Sequence, residues 1–394
     1  MWSPGTGPPP SVASRPDQRR RPTSSPSPER GRRPRRSSAL LRRGLDRDPR
    51  NLNNRIGLPA MAFVAGPEHR FLVLEAGMSL RGEMTELAGI SEPDVVVVTN
   101  VGVAHAEGVG GTRADVAREK AALVEALGPT GVAVINADDD AAMATLARTR
   151  AGRAVTFGRS EFADYRLLDR IPIGTEGSRV TFERPCVDCA SPGARETLEA
   201  ELPIVGEVAA LDFLAALAAA EATAGTFEKE RIDTGLAKNL ALSGRASIVP
   251  LADGSILVDD AYNANPGSMR AAVRTLVELA KGKGTRAIAV LGEMKELGAL
   301  ADAEHDALGD VLAEAGVALV VGAGGLADRT LVRAASRGTP VIHAKDSQEA
   351  ARLVLPEVHP GDVVLVKASR SVAAEVVVNA LVAARGLRGA GDAA

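Results

Sequence analysis

Short apolar runs punctuate the chain from about residue 70 onward, each closed by polar or glycine-rich residues. Phe71-Leu72-Val73-Leu74, Val95-Val96-Val97-Val98 and Val132-Ala133-Val134-Ile135 come first. Runs of this length, β-rich and without polar alternation, predict strands buried on both faces. Ala114 to Leu127 predicts a helix between the latter two, and further helix follows the Asp-rich stretch after Asn136. Strands alternating with helices predict an α/β fold with a parallel sheet covered by helices.

The pattern changes between residue 151 and about 205. Ala154-Val155-Thr156-Phe157, Arg179-Val180-Thr181-Phe182 and Thr197-Leu198-Glu199-Ala200 predict short antiparallel strands with glycine-rich turns, and Ala209 to Ala224 a helix. Cys186 and Cys189 have CxxC spacing, yet no second pair exists and no histidine lies between His105 and His305. Without a partner set for zinc, a hairpin carrying two reduced thiols is expected.

A second strand and helix series starts near Ser255. Ile256-Leu257-Val258, Ala287-Ile288-Ala289-Val290-Leu291, Val317-Ala318-Leu319-Val320-Val321, Val341-Ile342 and Val363-Val364-Leu365-Val366 predict its strands. Met269, Val273, Leu276 and Leu279 fall on one face of a helix from about Gly267 to Lys281. The series predicts a separate α/β domain of about 150 residues. Gly322-Ala323-Gly324 lacks the third glycine and the acidic ribose partner of a dinucleotide fingerprint, so a strand-to-helix turn is expected there.

Polar residues follow the strands in both series. Open parallel sheets bind ligands beyond the carboxyl ends of their strands, so Glu75, Asn100, His105, Asn136 and Asp138 are predicted to line one crevice. Glu75 and His105 are candidate ligands for a hard divalent cation; a helix-capping carboxylate and an ordinary loop histidine are the alternatives.

Composition adds two points. The 394 residues are 45% hydrophobic and 25% charged, with no apolar stretch long enough to span a bilayer, which predicts a cytoplasmic protein without membrane insertion. The net charge of −3 hides an asymmetry: residues 1–50 hold thirteen arginines against four acids, and ten of the 23 prolines. Too few apolar residues offset the entropy of ordering this segment, so disorder is expected. No aromatic residue interleaves with the arginines, and no nucleic-acid partner is expected.

Six ordered motifs carry a family resemblance. Asn51-Leu52-Asn53-Asn54-Arg55-Ile56-Gly57-Leu58-Pro59, Val73-Leu74-Glu75-Ala76-Gly77-Met78 with Gly82-Glu83, Thr99-Asn100-Val101-Gly102-Val103-Ala104-His105 and Asn136-Ala137-Asp138-Asp139 resemble the Mur ligases. Asp259-Asp260-Ala261-Tyr262-Asn263-Ala264-Asn265-Pro266 and Leu291-Gly292-Glu293-Met294-Lys295-Glu296-Leu297-Gly298 are most similar to the members that add D-alanyl-D-alanine to UDP-N-acetylmuramoyl-tripeptide. The resemblance implies a Mur ligase central parallel-sheet ATP-binding domain, incomplete here, over residues 51–243. A Rossmann-like C-terminal α/β domain would occupy 244–394, behind the disordered segment 1–50. It also implies the chemistry: ATP phosphorylates the peptide carboxylate, and the dipeptide amine attacks the acyl phosphate, giving amide, ADP and phosphate in peptidoglycan precursor synthesis. Cofactors would be ATP and Mg²⁺. Glu75, His105 and a carbamylated Lys120 would be catalytic and hold the metal; by position alone Lys120 is an exposed helix residue. Asn100, Asn136, Asp138, Arg245, Asp260, Asn263 and Asn265 would contact nucleotide, and Asn53, Asn54, Lys367, Ser369 and Arg370 substrate. A monomer is expected.

Four departures matter. The family's glycine-rich phosphate loop, ending Gly-Lys-Thr, belongs upstream of the Asn53-Asn54 segment, where residues 1–50 hold no lysine. Gly282-Lys283 is followed by Gly284 and does not replace it. Residues 1–50 are not expected to build the family's uridine-nucleotide domain, and Val208 and Ala368 stand where the family commonly has histidine and glycine. The chain as written is therefore expected to ligate poorly. An incomplete gene model or an upstream frameshift would explain the switch in texture near Asn51. Another Mur-type or folylpolyglutamate-type ligase, or a non-catalytic nucleotide-binding remnant, are the alternatives.

Overall fold

In the computed structural model, residues 52–388 are described, apart from 67–68, 187–188, 190, 192 and 238–243. The disorder expected for residues 1–50 falls outside them. Two six-stranded sheets organise two lobes. No helix among the described residues is long and apolar enough to cross a membrane.

In the first sheet β1 (Val95–Val98), β2 (Val132–Asn136), β3 (Arg153–Gly158), β4 (Tyr165–Pro172), β5 (Ser178–Pro185) and β6 (Arg195–Leu202) lie side by side in that order. The first four pair in parallel and the last three antiparallel. Every residue of β2 is buried, because helices cover both faces. The helix Arg113–Glu125 covers one, begun by Thr112, whose side chain accepts from the Asp115 N–H. The helix Glu207–Ala224 covers the other, packing Ala210, Leu214 and Ala218 against Val155, Phe157, Val180 and Phe182.

Three expectations are corrected here. Phe71-Leu72-Val73-Leu74 forms no strand. A fully apolar run is buried on both faces only between flanking strands, and no described strand pairs with this one; Val73 is accordingly 53% exposed. Ala154 to Phe157 pairs in parallel with β2, not antiparallel, because the helical turns Asp140–Met143 and Ala144–Arg148 give the crossover that parallel pairing requires. Cys186 and Cys189 are joined as a disulfide and are not reduced thiols; their Cα atoms lie 5.6 Å apart, within reach of such a bond.

The antiparallel half carries a buried ionic group. Arg184 pairs with Glu221, both nearly inaccessible, and the Glu221 carboxylate also accepts from Tyr165 Oη (2.6 Å) and the Phe227 N–H (2.9 Å). Each charge is thus compensated, as burial demands.

The second sheet runs β11 (Val341–Ala344), β10 (Leu319–Ala323), β9 (Ala287–Leu291), β12 (Val363–Lys367), β8 (Ile256–Asp259), β7 (Ser247–Pro250). All pairs are parallel except β7 with β8. The edge strand β7 escaped the sequence reading, since its half-buried residues lack an apolar run. Gly324, in the turn after β10, has φ +72° and sits against the Lys345 carbonyl, which fits a strand-to-helix turn.

The helix Pro266–Lys283 starts at a capping box. Asn265 Oδ1 accepts the Ser268 N–H (2.9 Å) and Ser268 Oγ accepts the Asn265 N–H (3.1 Å). Asn265→Ala is expected to lower stability by about 1 kcal/mol, and Asn265→Ser to retain most of it. Denaturant unfolding of the three proteins measures this; coincident curves for the unaltered chain and Asn265→Ala would show that the cap contributes nothing.

Candidate active site

The first lobe builds its part of the site from three chain segments. Asn53 Nδ2 donates to Glu75 Oε1 (3.0 Å), and the Gly77 N–H donates to the Asn53 carbonyl (2.8 Å). This approach needs glycine at 77, where a Cβ would stand 2.6 Å from the Asn53 amide nitrogen. Asn54 Oδ1 accepts from the Ile56 (3.0 Å) and Gly57 (2.9 Å) N–H groups at the start of the helix Gly57–Val64. A cleft of about 360 Å³ results, lined by Asn53, Asn54, Arg55, Gly77, Ser79, Glu83 and His105 among others. Hydrogen bonds from the Ser79 and Leu80 N–H groups hold the Glu83 carboxyl below its usual range.

Loop 99–105, after β1, is pinned from several sides. Its Val101 N–H donates to Asp139 Oδ2 (2.7 Å), and its Val101 carbonyl accepts from Arg113 Nε (2.6 Å). Asn136 Nδ2 donates to the Thr99 carbonyl (2.8 Å), while Asn136 Oδ1 accepts the Asp138 N–H (2.9 Å). The Asp138 oxygens accept from the Arg159 (2.7 Å) and Ser160 (2.8 Å) N–H groups after β3. Asn136 and Asp138 therefore tie the ends of β1, β2 and β3 together. Lys120 Nζ donates to the Asn100 carbonyl (2.7 Å); the side chain is partly buried, not exposed as its helix position alone predicts. Burial pushes the Lys120 ammonium below its usual pKa, and Asp139 opposes that shift.

In the second lobe the ends of β8 and β12 carry the ionic centre. Lys367, 2% exposed, meets Asp260 Oδ2 at 2.6 Å and donates to the Asn263 carbonyl (2.8 Å). Burial pushes the Lys367 ammonium down and the Asp260 carboxyl up, each offset in part by the other's charge. Asn263 Oδ1 accepts the adjacent Ala264 N–H (2.8 Å), and Ser369 Oγ accepts the Lys295 N–H (2.9 Å). Arg245 lies over the Tyr262 ring at 4.4 Å and Arg370 at 5.8 Å, both exposed. Two guanidinium planes beside one ring form a cationic, stackable platform. Asn265 lies apart from this platform in role, as the helix cap.

The lobes meet where His105 Nδ1 contacts Glu296 Oε2. Val103 packs against the second lobe's core, and Leu300 against the first's. Glu75 and His105 reach one cleft, the former through Asn53; Lys120 touches the same loop at Asn100, five residues before His105. Among the described residues, no three His, Cys, Asp or Glu side chains are grouped to hold a metal ion. Sequence reasoning missed Tyr262, though it sits inside the quoted Asp259 to Pro266 motif. It also missed Glu296 as a site residue, whose partner lies 191 residues away.

Comparison with known proteins identifies the two lobes. The Mur ligase middle domain matches residues 37–220, and the Mur ligase, glutamate ligase domain matches 244–370. The UDP-N-acetylmuramoyl-tripeptide--D-alanyl-D-alanine ligase of Mycobacterium leprae is 33% identical over 358 residues, 85% of this chain and 67% of that protein. A MurF structure from Acinetobacter baumannii superposes with a TM-score of 0.72 at 27% identity, covering 85% of this chain and 69% of that one. The MurF ligase of Thermotoga maritima, solved in complex with ADP, gives 0.69 at 27%, covering 84% and 72%. With both lobes matched in order, the chain belongs to the Mur ligase family of ATP-dependent ligases.

Proposed function

We propose that this chain forms the catalytic lobes of a ligase that joins D-alanyl-D-alanine to UDP-N-acetylmuramoyl-tripeptide, acting as a monomer with ATP and Mg²⁺. The tripeptide carboxylate would take the γ-phosphoryl group of ATP, releasing ADP; the dipeptide amine would then displace phosphate and lose a proton. The observation that carries this reading is the contact, at His105 and Glu296, of two loops that leave strand ends in different lobes. The identity to the Mycobacterium leprae ligase supports the substrate assignment.

The residues fit the proposed roles unequally. The His105 imidazole lines the cleft and the Glu75 carboxylate is tied to it through Asn53; the two would form a donor set suited to a divalent cation, with Lys120 as its third member once carbamylated. Bound there, magnesium would screen the charge between phosphoryl group and carboxylate. Burial enlarges the neutral fraction of Lys120, the form that attacks carbon dioxide and releases a proton to give a carbamate. Arg245, Tyr262 and Arg370 would hold nucleotide by stacking and charge, with Asp260 and Lys367 fixing the strand ends beneath them. Asn53 and Asn54 would face the peptide substrate from the cleft. Asn100 meets the site through its carbonyl, whereas Asn136 and Asp138 support loops and would act on nucleotide only indirectly.

A phosphate cradle is the weak point of the sequence as given. Gly282-Lys283 lies at the C-terminal end of the helix Pro266–Lys283, closed by Gly284 at φ +65°. That end carries the negative pole of the helix and repels phosphate. The chain alone is therefore proposed to ligate slowly.

Two measurements test this reading. With UDP-N-acetylmuramoyl-tripeptide, D-alanyl-D-alanine, ATP and Mg²⁺, the chain joined to a family N-terminal segment bearing the Gly-Lys-Thr loop is expected to release ADP and phosphate in step with amide. It should outpace the chain alone by at least about 100-fold, on the scale of lost phosphoryl or oxyanion donors; equal rates would contradict the cradle argument, and no product from either the ligase reading. In ¹³C-bicarbonate, one carbamate resonance is expected that grows as pH rises, because the Lys120 proton leaves more readily than from an ordinary lysine. Lys120→Arg should abolish it, and a resonance that survives the substitution would exclude Lys120.

A further inference from the structure

Both partners in the contact between the lobes stand on left-handed backbone: His105 at φ +64° and Glu296 at φ +63°. For side chains of this size that conformation costs about 1 kcal/mol or more per residue, and it persists where surrounding structure over-determines it. The loop carrying Glu296 is held in this way. Its Gly292 N–H donates to the Lys367 carbonyl (3.0 Å), its Met294 N–H to the buried His305 Nε2 (3.1 Å) and its Lys295 N–H to Ser369 Oγ (2.9 Å). Met294 and Leu297 are buried in the second core, whereas Glu296 is exposed between them and turned toward the other lobe. His105 is held from its own side by the pinned loop 99–105.

We propose that Glu296 is a positioning residue: reaching across from the second lobe, it fixes the ring orientation and tautomer of His105. A carboxylate only accepts, so the proton of the contact sits on Nδ1, which leaves Nε2 as the nitrogen offered to a cation. The cation site of the first lobe is then complete only when the second lobe is apposed. This rests on the reading of His105 as a cation ligand given under the proposed function. Arg170, which pairs with Glu278 on the helix Pro266–Lys283 (3.2 Å), is an interlobe contact remote from His105 in sequence and serves as the control for simple loosening of the lobes.

Mn²⁺ binding by the full chain, followed by calorimetry, and ¹⁵N spectra of the histidine rings test the proposal. Glu296→Ala is expected to weaken Mn²⁺ binding at least about 10-fold and to shift His105 away from the Nδ1–H form, as loss of an outer carboxylate does elsewhere. Glu296→Gln, whose amide oxygen still accepts from Nδ1–H, should stay within about threefold of the unaltered chain, as should Arg170→Ala. If Glu296→Ala binds Mn²⁺ like the unaltered chain while His105→Ala does not, the role of Glu296 is overturned alone. If His105→Ala also binds normally, the cation reading of His105 falls and takes this proposal with it. Equal weakening by Arg170→Ala and Glu296→Ala would assign the effect to lobe apposition and overturn the orienting role.

Discussion

Parallel strand pairing imposes direction on this molecule. Every loop that leaves the carboxyl end of β1, β2, β8, β9 or β12 emerges on the same edge of its sheet, the edge beyond which open parallel sheets bind ligands. At the His105 and Glu296 contact a loop from each lobe's edge meets the other. Around it, Val103 and Leu300 each pack into the other lobe's core, so apolar burial and a directed polar contact act at one junction. Burial supplies the attraction and the polar contact supplies the register.

Many polar residues near the strand ends serve the loops first. Asn136 spans Thr99 and Asp138, Asp138 receives two backbone N–H groups beyond β3, and Asn265 opens a helix. Buried or half-buried backbone donors must be satisfied, and short polar side chains are the means. The groups that remain available for ligands are of another kind: the exposed guanidinium groups of Arg245 and Arg370 beside Tyr262, and the polar rim of the cleft at Asn53, Asn54 and His105. Lys367 lies between the two kinds, a buried cation whose charge is met by Asp260 and the Asn263 carbonyl.

How much of this was legible in the sequence follows from what each feature depends on. Strands β8, β9, β10 and β12 of the second lobe were readable because each is an apolar run buried on both faces, and the helix Pro266–Lys283 because its cap, proline and apolar stripe agree. Phe71 to Leu74 misled for the same reason: the run is strand-like, but strands need neighbours, and local composition does not report them. The parallel direction of β3 was likewise a property of its crossover. In the site, motif positions located Asp260, Asn263, Lys367 and Arg370 near the ends of two adjacent strands. The function of Glu296 was invisible, since it depends on a partner in another lobe and on a backbone conformation that sequence alone does not announce.

The account requires one cation site at the cleft rim, facing the second lobe. Anomalous diffraction from crystals soaked in Mn²⁺ tests it most directly. The predicted result is a peak about 2.0–2.3 Å from His105 Nε2 and from a Glu75 carboxylate oxygen, with Glu296 on Nδ1 behind it. A peak elsewhere in the molecule, with none at those two side chains, would contradict the account.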